Sequence, residues 1–351
     1  MLLKRASVSV LEAVEILCGL QAQEPKPPHI GLWTRLNQFA VDDLTSALHS
    51  RHVVRATMMR GTLHVVSARD YIAFRMVLQP MLTQALRVLG DRAHGLDLVA
   101  VLSAAHTLLL GAPRTFDELR TDLSRQFPEV NERALGYVTR MNIPLVMAPT
   151  QDHWGFPSIA AFTLAETWLN ETLSAGHAPD HLVRRYLAAF GPASVADVQE
   201  WSGLTGLKAV LHSMRGELRA FRDETGRELF DLPDAPRPDA EMEVPVRYLP
   251  EFDNLVLAHS DRTRVIADKH RALVVTKNLR VNATFLVDGF VAGTWRITRK
   301  KKAATLQLSP FEALSTENLS DLHKEGENLV RFVEADASSV DVLIEAPRTT
   351  M

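Results

Sequence analysis

The chain has 351 residues, 46% of them hydrophobic and 23% charged, which is ordinary globular composition with room for two or three domains. Its formal net charge of −3 excludes a chain that is basic overall, so a nucleic-acid-binding surface would need its basic residues gathered on one face. The single cysteine, Cys18, excludes an internal disulfide framework and a multi-cysteine zinc site, and is typical of a reducing cytosol.

The first predicted element is a helix over residues 7–20, SVSVLEAVEILCGL, in which apolar residues recur at helical spacing. Ser7 or Ser9 is its expected cap, and Gly19 together with the later prolines marks its end. The stretch LQAQEPKPPHIGLWTRL begins at this end. A short helix, VDDLTSALHSRHVV, follows it, with two aspartates near its start.

Residues 53–66, VVRATMMRGTLHVV, predict a β-hairpin with Arg60-Gly61 as a two-residue turn. That turn would place one polar set of side chains on a common face of the hairpin. The set comprises Arg55, Thr57, Thr62 and His64. Two interpretations remain open. The polar face is either simply exposed to solvent, as in an amphipathic hairpin, or it is a positively charged, hydrogen-bonding surface that faces a DNA phosphate.

A helix over residues 68–89 is expected next, opened by a capping box between Ser67 and Asp70. Helix, turn, helix and a two-stranded wing then recur, an arrangement typical of a winged helix. In the second copy the wing strands are LVMAP and HWGFP, and in the third they flank an Asp-Glu-Thr-Gly turn. The three predicted copies lie at about residues 10–66, 113–157 and 192–232.

A proline-rich stretch, DLPDAPRPDAEMEVP, separates these motifs from a β-rich C-terminal part. There, FLVDGFVAGTWRITR and AATLQLSPF predict strands with a turn at Asp288-Gly289, and a helix over residues 315–335 precedes a last strand, VDVLIEA. The predicted fold class is α+β, with tandem winged-helix motifs followed by a small β-barrel-like domain. The predicted domains are residues 1–112, 113–190, 191–236 and 237–351.

The usual enzyme signatures, HExxH, the Walker loop, GxGxxG and GxSxG, are missing from the sequence, and its thirteen histidines are scattered. We therefore expect no metal and no cofactor. Basic residues cluster at Arg184-Arg185 and at Arg296 with Arg299-Lys300-Lys301-Lys302, either as solvated charge runs or as sites that neutralise DNA phosphates. The N-terminus has no apolar core of the kind found in signal peptides, and the sequence has no long apolar run. We therefore expect a cytoplasmic protein with no membrane span.

Four stretches occur in order along the chain: LQAQEPKPPHIGLWTRL, RATMMRGTLHVVSARDY, YLPEFDNLVLAHSDR and FLVDGFVAGTWRI. Together they resemble the AlkZ-like winged-helix DNA glycosylases, and the resemblance spans about residues 7–345. The fold of that family, tandem winged-helix motifs with a β-barrel-like C-terminal domain, agrees with the prediction above. Its catalytic motif, glutamine–hydrophobic–glutamine, falls on Gln21, Ala22 and Gln23, whereas a sister branch carries aspartate at the second polar position.

The resemblance implies a monofunctional DNA glycosylase that hydrolyses the N-glycosidic bond of N7-alkylated purines in double-stranded DNA, including bulky adducts and interstrand crosslinks. Gln21 and Gln23 would be catalytic, because a cationic base departs without an acid and needs only dipoles that position the water. The expected DNA contacts are Arg55, Arg60, Thr62, His64, Arg299, Lys300 and Lys301. We expect a monomer that works in the cytoplasm and joins the nucleoid when it binds DNA.

Other functions are compatible with the sequence. On spacing alone, Gln21 and Gln23 are two exposed amides at a frayed helix end. A non-catalytic winged-helix DNA-binding protein, acting as a regulator or resistance factor, would carry the same modules and release no base from DNA. A protein-interaction module is the third possibility, and it would not bind duplex DNA even at low salt.

Overall fold

The computed structural model describes residues 1–173, 178–239 and 241–347, and the expected α+β composition is confirmed. The α-helices are α1 Val10–Ile16, α2 Lys26–Trp33, α3 Val41–His49, α4 Ala68–Phe74, α5 Gln79–Gln84, α6 Leu98–Gly111, α7 Phe116–Gln126, α8 Glu132–Asn142, α9 Ala165–Leu169, α10 Pro179–Phe190, α11 Val195–Ser202, α12 Leu207–Ser213, α13 Asn254–Leu257, α14 Arg271–Val274 and α15 Thr316–Val333.

The β-strands are β1 Leu20–Gln21, β2 Val53–Thr57, β3 Leu63–Ser67, β4 Leu145–Met147, β5 Phe162–Leu164, β6 Arg219–Arg222, β7 Glu228–Asp231, β8 Arg247–Leu249, β9 Thr284–Val287, β10 Phe290–Lys300, β11 Ala303–Pro310 and β12 Ser339–Ile344. Contacts divide the chain into two compact units. Unit 1 contains Met1–Val8, Pro27–Phe39 and Pro236–Met351, and unit 2 contains Ser9–Lys26 and Ala40–Ala235.

The central sheet of unit 2 has the strand order β1-β3-β2-β4-β5, with antiparallel neighbours. Its two middle strands form the predicted hairpin, and their β-branched and apolar residues suit a pleated surface. Every residue of β2 and β3 is buried. The predicted hairpin with one face open to solvent is therefore wrong, because the sheet is covered on both sides.

The register of this hairpin also differs from the prediction by one residue. Thr57 pairs with Leu63, and Ala56 pairs with His64. Five residues, 58–62, connect the strands instead of two, and the chain makes a 3-10 turn over Met59–Gly61 in which Arg60 adopts a left-handed conformation. Since a shift of one residue reverses the side to which a strand residue points, His64 lies on the face opposite to Thr57.

The first helix is shorter than predicted. Ser9 caps α1 through a full capping box with Glu12, and the helix ends at Ile16. Cys18 follows with a φ of 51° and an exposed fraction of 1%, and burial raises the pKa of its thiol. Pro25 precedes α2, while Pro27 and Pro28 lie in the first turn of that helix, where proline needs no N–H partner and its fixed φ suits the helix.

Two further predictions need correction in unit 2. Ser67 does cap α4 by accepting a hydrogen bond from the main chain of Asp70, but the expected helix over 68–89 breaks after Phe74. The strand LVMAP pairs with β5 rather than with HWGFP, and β4 joins β2, so this pair extends the central sheet. Where the third motif is predicted, the structure has two helices, α11 and α12, followed by the hairpin β6–β7.

Unit 1 is built on a second sheet with the strand order β12-β11-β10-β9-β8. The predicted Asp288-Gly289 turn joins β9 to β10, with both residues at positive φ, and β12 returns parallel to β11 after α15. Helix α15 packs on the sheet, and Tyr248 donates a 2.7 Å hydrogen bond to the Leu322 carbonyl. Within the described residues this sheet has two free edges and does not close, unlike the predicted barrel-like domain.

Among the described residues, no single helix is long and apolar enough to cross a membrane. A bent pair, Gln79–Ala93 with Leu98–Gly111, meets the length and composition requirement together, with an angle of 108° at the break. The same part of the chain holds no group of three or more His, Cys, Asp or Glu side chains that could hold a metal ion.

Candidate active site

Gln21 and Gln23 lie at one edge of the central sheet of unit 2. Gln21 ends the two-residue strand β1, where it pairs with His64 of β3. The next main-chain N–H, that of Ala22, donates to the Leu63 carbonyl at 2.7 Å. Gln21 therefore ends a short strand and Gln23 follows it, so the expectation of a frayed helix end is wrong.

The chain reaches this edge through Gly19, which has a φ of +88°. A side chain at this position would place its Cβ 2.7 Å from Val66 Cγ1 and 3.1 Å from the Val65 carbonyl oxygen. Glycine accepts both the left-handed backbone and the close approach to β3. The position of the two glutamines is thus determined by how tightly the chain can turn against the hairpin.

Each glutamine carbonyl is engaged by a group that can only donate. The Leu63 main-chain N–H donates to Gln23 Oε1 at 2.7 Å. Arg60 Nη2 donates to Gln21 Oε1, also at 2.7 Å. Because an amide nitrogen could not accept either bond, both side-chain amides have a defined orientation. Each carbonyl oxygen keeps a second lone pair for a ligand.

Arg55 holds the main chain of the same turn. Its Nε donates to the Ala22 carbonyl and its Nη2 to the Gln23 carbonyl, both at 2.9 Å. The guanidinium lies 5.0 Å from the ring centroid of the buried Phe156, and only 3% of Arg55 is exposed. Burial lowers its pKa to about 10, so it stays positively charged at neutral pH. Arg55 is placed to clamp the glutamine turn.

Access to the two amides is unequal. Gln21 is 6% exposed, Gln23 is half-buried, and the following residue, Glu24, is exposed. Three arginines and one carboxylate surround this turn. Arg55 and Arg60 contact it directly, while the charge of Glu24 raises the pKa of Arg55 and the weaker effect of Arg140 lowers it. The three positive charges outnumber the single negative charge, which favours an anionic ligand such as DNA.

His64 is enclosed in the sheet, whereas Thr62 is half-buried. His64 is fully buried, and its Nδ1 donates to the Thr62 carbonyl at 3.1 Å. Burial first, and then the charge of Arg60, lower the pKa of His64 to about 3. Thr62 Oγ1 donates to the Met59 carbonyl within the turn. The imidazole is neutral at physiological pH and is enclosed in the sheet, which gives it no path to a phosphate in this structure.

The remaining predicted contacts lie in unit 1, at the end of the long hairpin β10–β11. Lys300 pairs with Ala303, and Lys300 and Lys301 are exposed at the turn. Arg299 is bound by two carboxylates, those of Glu334 and Asp336, and these hydrogen bonds raise its pKa. Of the three residues, the two lysines have side chains free to meet a phosphate.

The other basic cluster serves the fold. Arg185 donates to Asp70 at 2.7 Å and to the main-chain carbonyl of Glu15, while Arg184 pairs with Glu217. The sequence did not indicate that Arg60 would meet Gln21 or that a main-chain donor would hold Gln23. Neither contact has a local signal, because both depend on the pairing of β1 with β3 and on the geometry of the turn after β2.

Comparisons with known proteins identify the family of the chain. The family model described as DNA glycosylase AlkZ-like matches residues 14–332. An interstrand DNA cross-link repair glycosylase of Streptomyces sahachiroi is 24% identical over 349 residues, covering 93% of this chain and 91% of the relative. The solved structure of Streptomyces sahachiroi DNA glycosylase AlkZ matches with a TM-score of 0.79 and 23% identity, covering 98% of this chain and 95% of that one. The chain therefore belongs to the AlkZ-like family of DNA glycosylases.

Proposed function

We propose that this enzyme hydrolyses the N-glycosidic bond of N7-alkylated purines in double-stranded DNA, with bulky adducts and interstrand crosslinks among its substrates. The observation that carries the proposal is the pair of amides at Gln21 and Gln23, each oriented by a donor and both set among arginines. The Streptomyces sahachiroi relative, which is named for interstrand cross-link repair, supports the crosslink part.

The chemistry suits groups that do not titrate. An N7-alkylated guanine already carries a positive charge, so its bond to the sugar breaks without protonation of the leaving base. The transition state resembles an oxocarbenium ion, as in other glycoside cleavages. Such a state needs dipoles whose negative ends face the sugar and an acceptor that orients the attacking water. Amide oxygens meet both requirements without a pKa in the physiological range.

Gln21 and Gln23 would divide this task between them. In each glutamine, one lone pair of Oε1 accepts a hydrogen bond from the protein. The second lone pair would accept a proton of the attacking water or face the positive charge that develops on the sugar. Fixing the amides in advance removes the reorganisation that free side chains would require, which is the main benefit of a preorganised site. The water would be held on the exposed side of Gln23.

Duplex DNA would be bound by the modules that follow a helix–turn–helix pattern and by the basic hairpin end. The helices α11 and α12 and the hairpin β6–β7 follow one another in the order of elements typical of a winged helix, which supports this part of the proposal. Lys300 and Lys301 would neutralise phosphates. A crosslinked base cannot leave the stack freely, so the enzyme would act on the lesion within the duplex rather than in a closed pocket. We further propose that the protein acts as a cytoplasmic monomer without metal or cofactor.

A base-release experiment tests the proposal. A duplex containing N7-methylguanine is incubated with excess enzyme, and the free base is measured over time. Gln21→Ala and Gln23→Ala should each slow release by about a hundredfold, as the loss of one catalytic dipole does elsewhere. Gln126→Ala, which removes an exposed glutamine at the end of α7, is the matched control and should release base at the parental rate.

The parent should release base at a rate that is nearly constant between about pH 6 and 9, since no titrating acid or base drives the step. Duplex binding should remain in both glutamine variants. If both variants match the parent, the site assignment is wrong. If the parent binds duplex with a strong salt dependence but releases no base from methylated or crosslinked DNA, the chain is a non-catalytic DNA-binding member of its family.

A further inference from the structure

Arg60 occupies a constrained position next to Gln21. It is the middle residue of the 3-10 turn between β2 and β3, and its φ of 56° and ψ of 15° place it in the left-handed region. One arm of its guanidinium donates to Gln21 Oε1 at 2.7 Å. The other arm, Nη1, donates to the main-chain carbonyl of Trp201. The side chain thus bridges the glutamine and the last turn of α11.

The far end of this bridge is rigid. Trp201 is fully buried near the C-terminus of α11, where helix carbonyls carry partial negative charge that favours a cation. Gly203, which ends the helix with a φ of +79°, packs against the turn so closely that a Cβ there would lie 3.2 Å from Arg60 Cα. The end of α11 therefore restrains both parts of Arg60, since Gly203 packs against its backbone and the Trp201 carbonyl accepts from its guanidinium.

We propose that Arg60 is a positioning residue that fixes the amide of Gln21 for catalysis, and that it is not a phosphate contact. This inference rests on the proposed glycosylase function. A guanidinium can only donate, so it selects the amide orientation in which Oε1 faces Arg60 and the NH2 group faces away. Without Arg60, the amide of Gln21 could rotate by 180° and reverse its dipole.

The positive charge of Arg60 is a reason to expect that it acts indirectly, by orienting Gln21, and does not face the sugar itself. A positive charge near an oxocarbenium-like sugar would by itself raise the barrier to bond cleavage. Sharing that charge between Gln21 Oε1 and the end of α11 keeps the cation engaged by the protein. An arginine reserved for a phosphate would instead leave its fork open toward the DNA, as a bidentate anion contact requires.

Two substitutions separate positioning from phosphate binding. Arg60→Met removes both donors at similar length, and Arg60→Lys keeps the positive charge but loses the fork that spans Gln21 and Trp201. Arg125→Met is the matched control, because it also removes one positive charge, from an arginine whose side chain is 74% exposed on α7. Single-turnover base release, duplex affinity and the dependence of that affinity on salt are measured for each protein.

We expect Arg60→Met and Arg60→Lys to slow single-turnover release by about tenfold or more, as small displacements of a catalytic group do. Duplex affinity should stay within about twofold of the parent, and the salt slope should not change. In a Gln21→Ala background, Arg60→Met should cause no further loss, because residues that act as one unit are not additive. Arg125→Met should match the parent in all three measurements.

The opposite pattern would overturn the inference. If Arg60→Met weakens binding and lowers the salt slope by about one while Arg60→Lys restores both, Arg60 contacts a phosphate.

A direct structural measurement, independent of activity, uses protein labelled with ¹⁵N-glutamine. The side-chain signals of Gln21 are assigned by their absence in Gln21→Asn. These signals should shift in both Arg60 variants, and unchanged signals also overturn the inference. If the parent releases no base, the proposed function fails, while the amide signals still decide the role of Arg60.

Discussion

The main-chain N–H of Leu63 donates to Gln23 Oε1, so the second glutamine of the motif is aligned by the backbone of β3. An acceptor of any charge at this position would keep the same bond. The sister branch with aspartate at the second polar position suggests a direct comparison of an amide with a carboxylate at this point. We expect the identity of this group to control how base release depends on pH.

Gln23→Glu should convert a flat pH profile into a sloping one. Above the carboxyl pKa, ordinarily near 4.3, the ionised group is a stronger acceptor for the water proton and a better partner for a cationic sugar. Release should therefore rise by roughly tenfold or more as the pH rises through that pKa. Below it the protonated acid resembles the amide. Single-turnover rates between about pH 4 and 8 measure this slope.

The control for this substitution is Gln126→Glu, which adds the same charge on the exposed end of α7. It should keep the flat profile of the parent. A flat profile for Gln23→Glu as well would show that residue 23 does not contact the reacting water.

Gly19→Ala should displace the glutamines by disturbing the entry to β1. The backbone at +88° disfavours any Cβ, and the added methyl would meet Val66 and the Val65 carbonyl. We expect a loss of about 1–3 kcal/mol in the free energy of unfolding together with slower base release. Gly111→Ala is the control, because its Cβ would meet no atom within 4 Å at the end of α6, and its stability should equal or exceed that of the parent. Urea unfolding measures both variants.

His64 should make the protein sensitive to acid. Its folded pKa of about 3 lies below the value near 6.5 expected for an unfolded histidine, because burial penalises the charged ring. Above pH 6.5 the imidazole is neutral in both states, and as the pH falls below that value only the unfolded chain takes up the proton. Stability is therefore lost on acidification, by about 2 kcal/mol at pH 5 from this residue.

His64→Gln removes this proton uptake. The difference in unfolding free energy between pH 7 and pH 5 should shrink by about 2 kcal/mol relative to the parent, whatever the effect of the substitution at pH 7. His106→Gln, at an exposed position on α6, serves as the control and should keep the parental difference. An unchanged difference in His64→Gln would mean that the imidazole is accessible to protons in the folded state.

Elements with a local chemical signal were predictable from the sequence. The cap at Ser9 and the turn at Asp288-Gly289 depend on side chains within a few residues of one another. The paired helices before β6 likewise carry their own caps and turn residues. The glutamine motif itself was located through resemblance to a family, since spacing favoured two exposed amides.

Features that depend on distant parts of the chain were missed. The hairpin register was off by one because nothing nearby requires Arg60 to adopt a left-handed conformation, and its partner Trp201 lies 141 residues further along. A strand of two residues, such as β1, is too short to show any periodicity. The partner of β4 was misplaced because β5 begins fifteen residues after β4 ends, beyond the nearest turn-like sequence.

The burial of Cys18 affects how readily the protein can be modified by electrophiles. Thiolates are the protein groups that electrophiles attack most readily, and a protonated, enclosed thiol is a poor nucleophile. The one sulfhydryl of this chain lies three residues before Gln21, sealed against solvent and kept in its unreactive form. An electrophile that reacts with exposed thiols would thus find no accessible thiolate next to the glutamine turn.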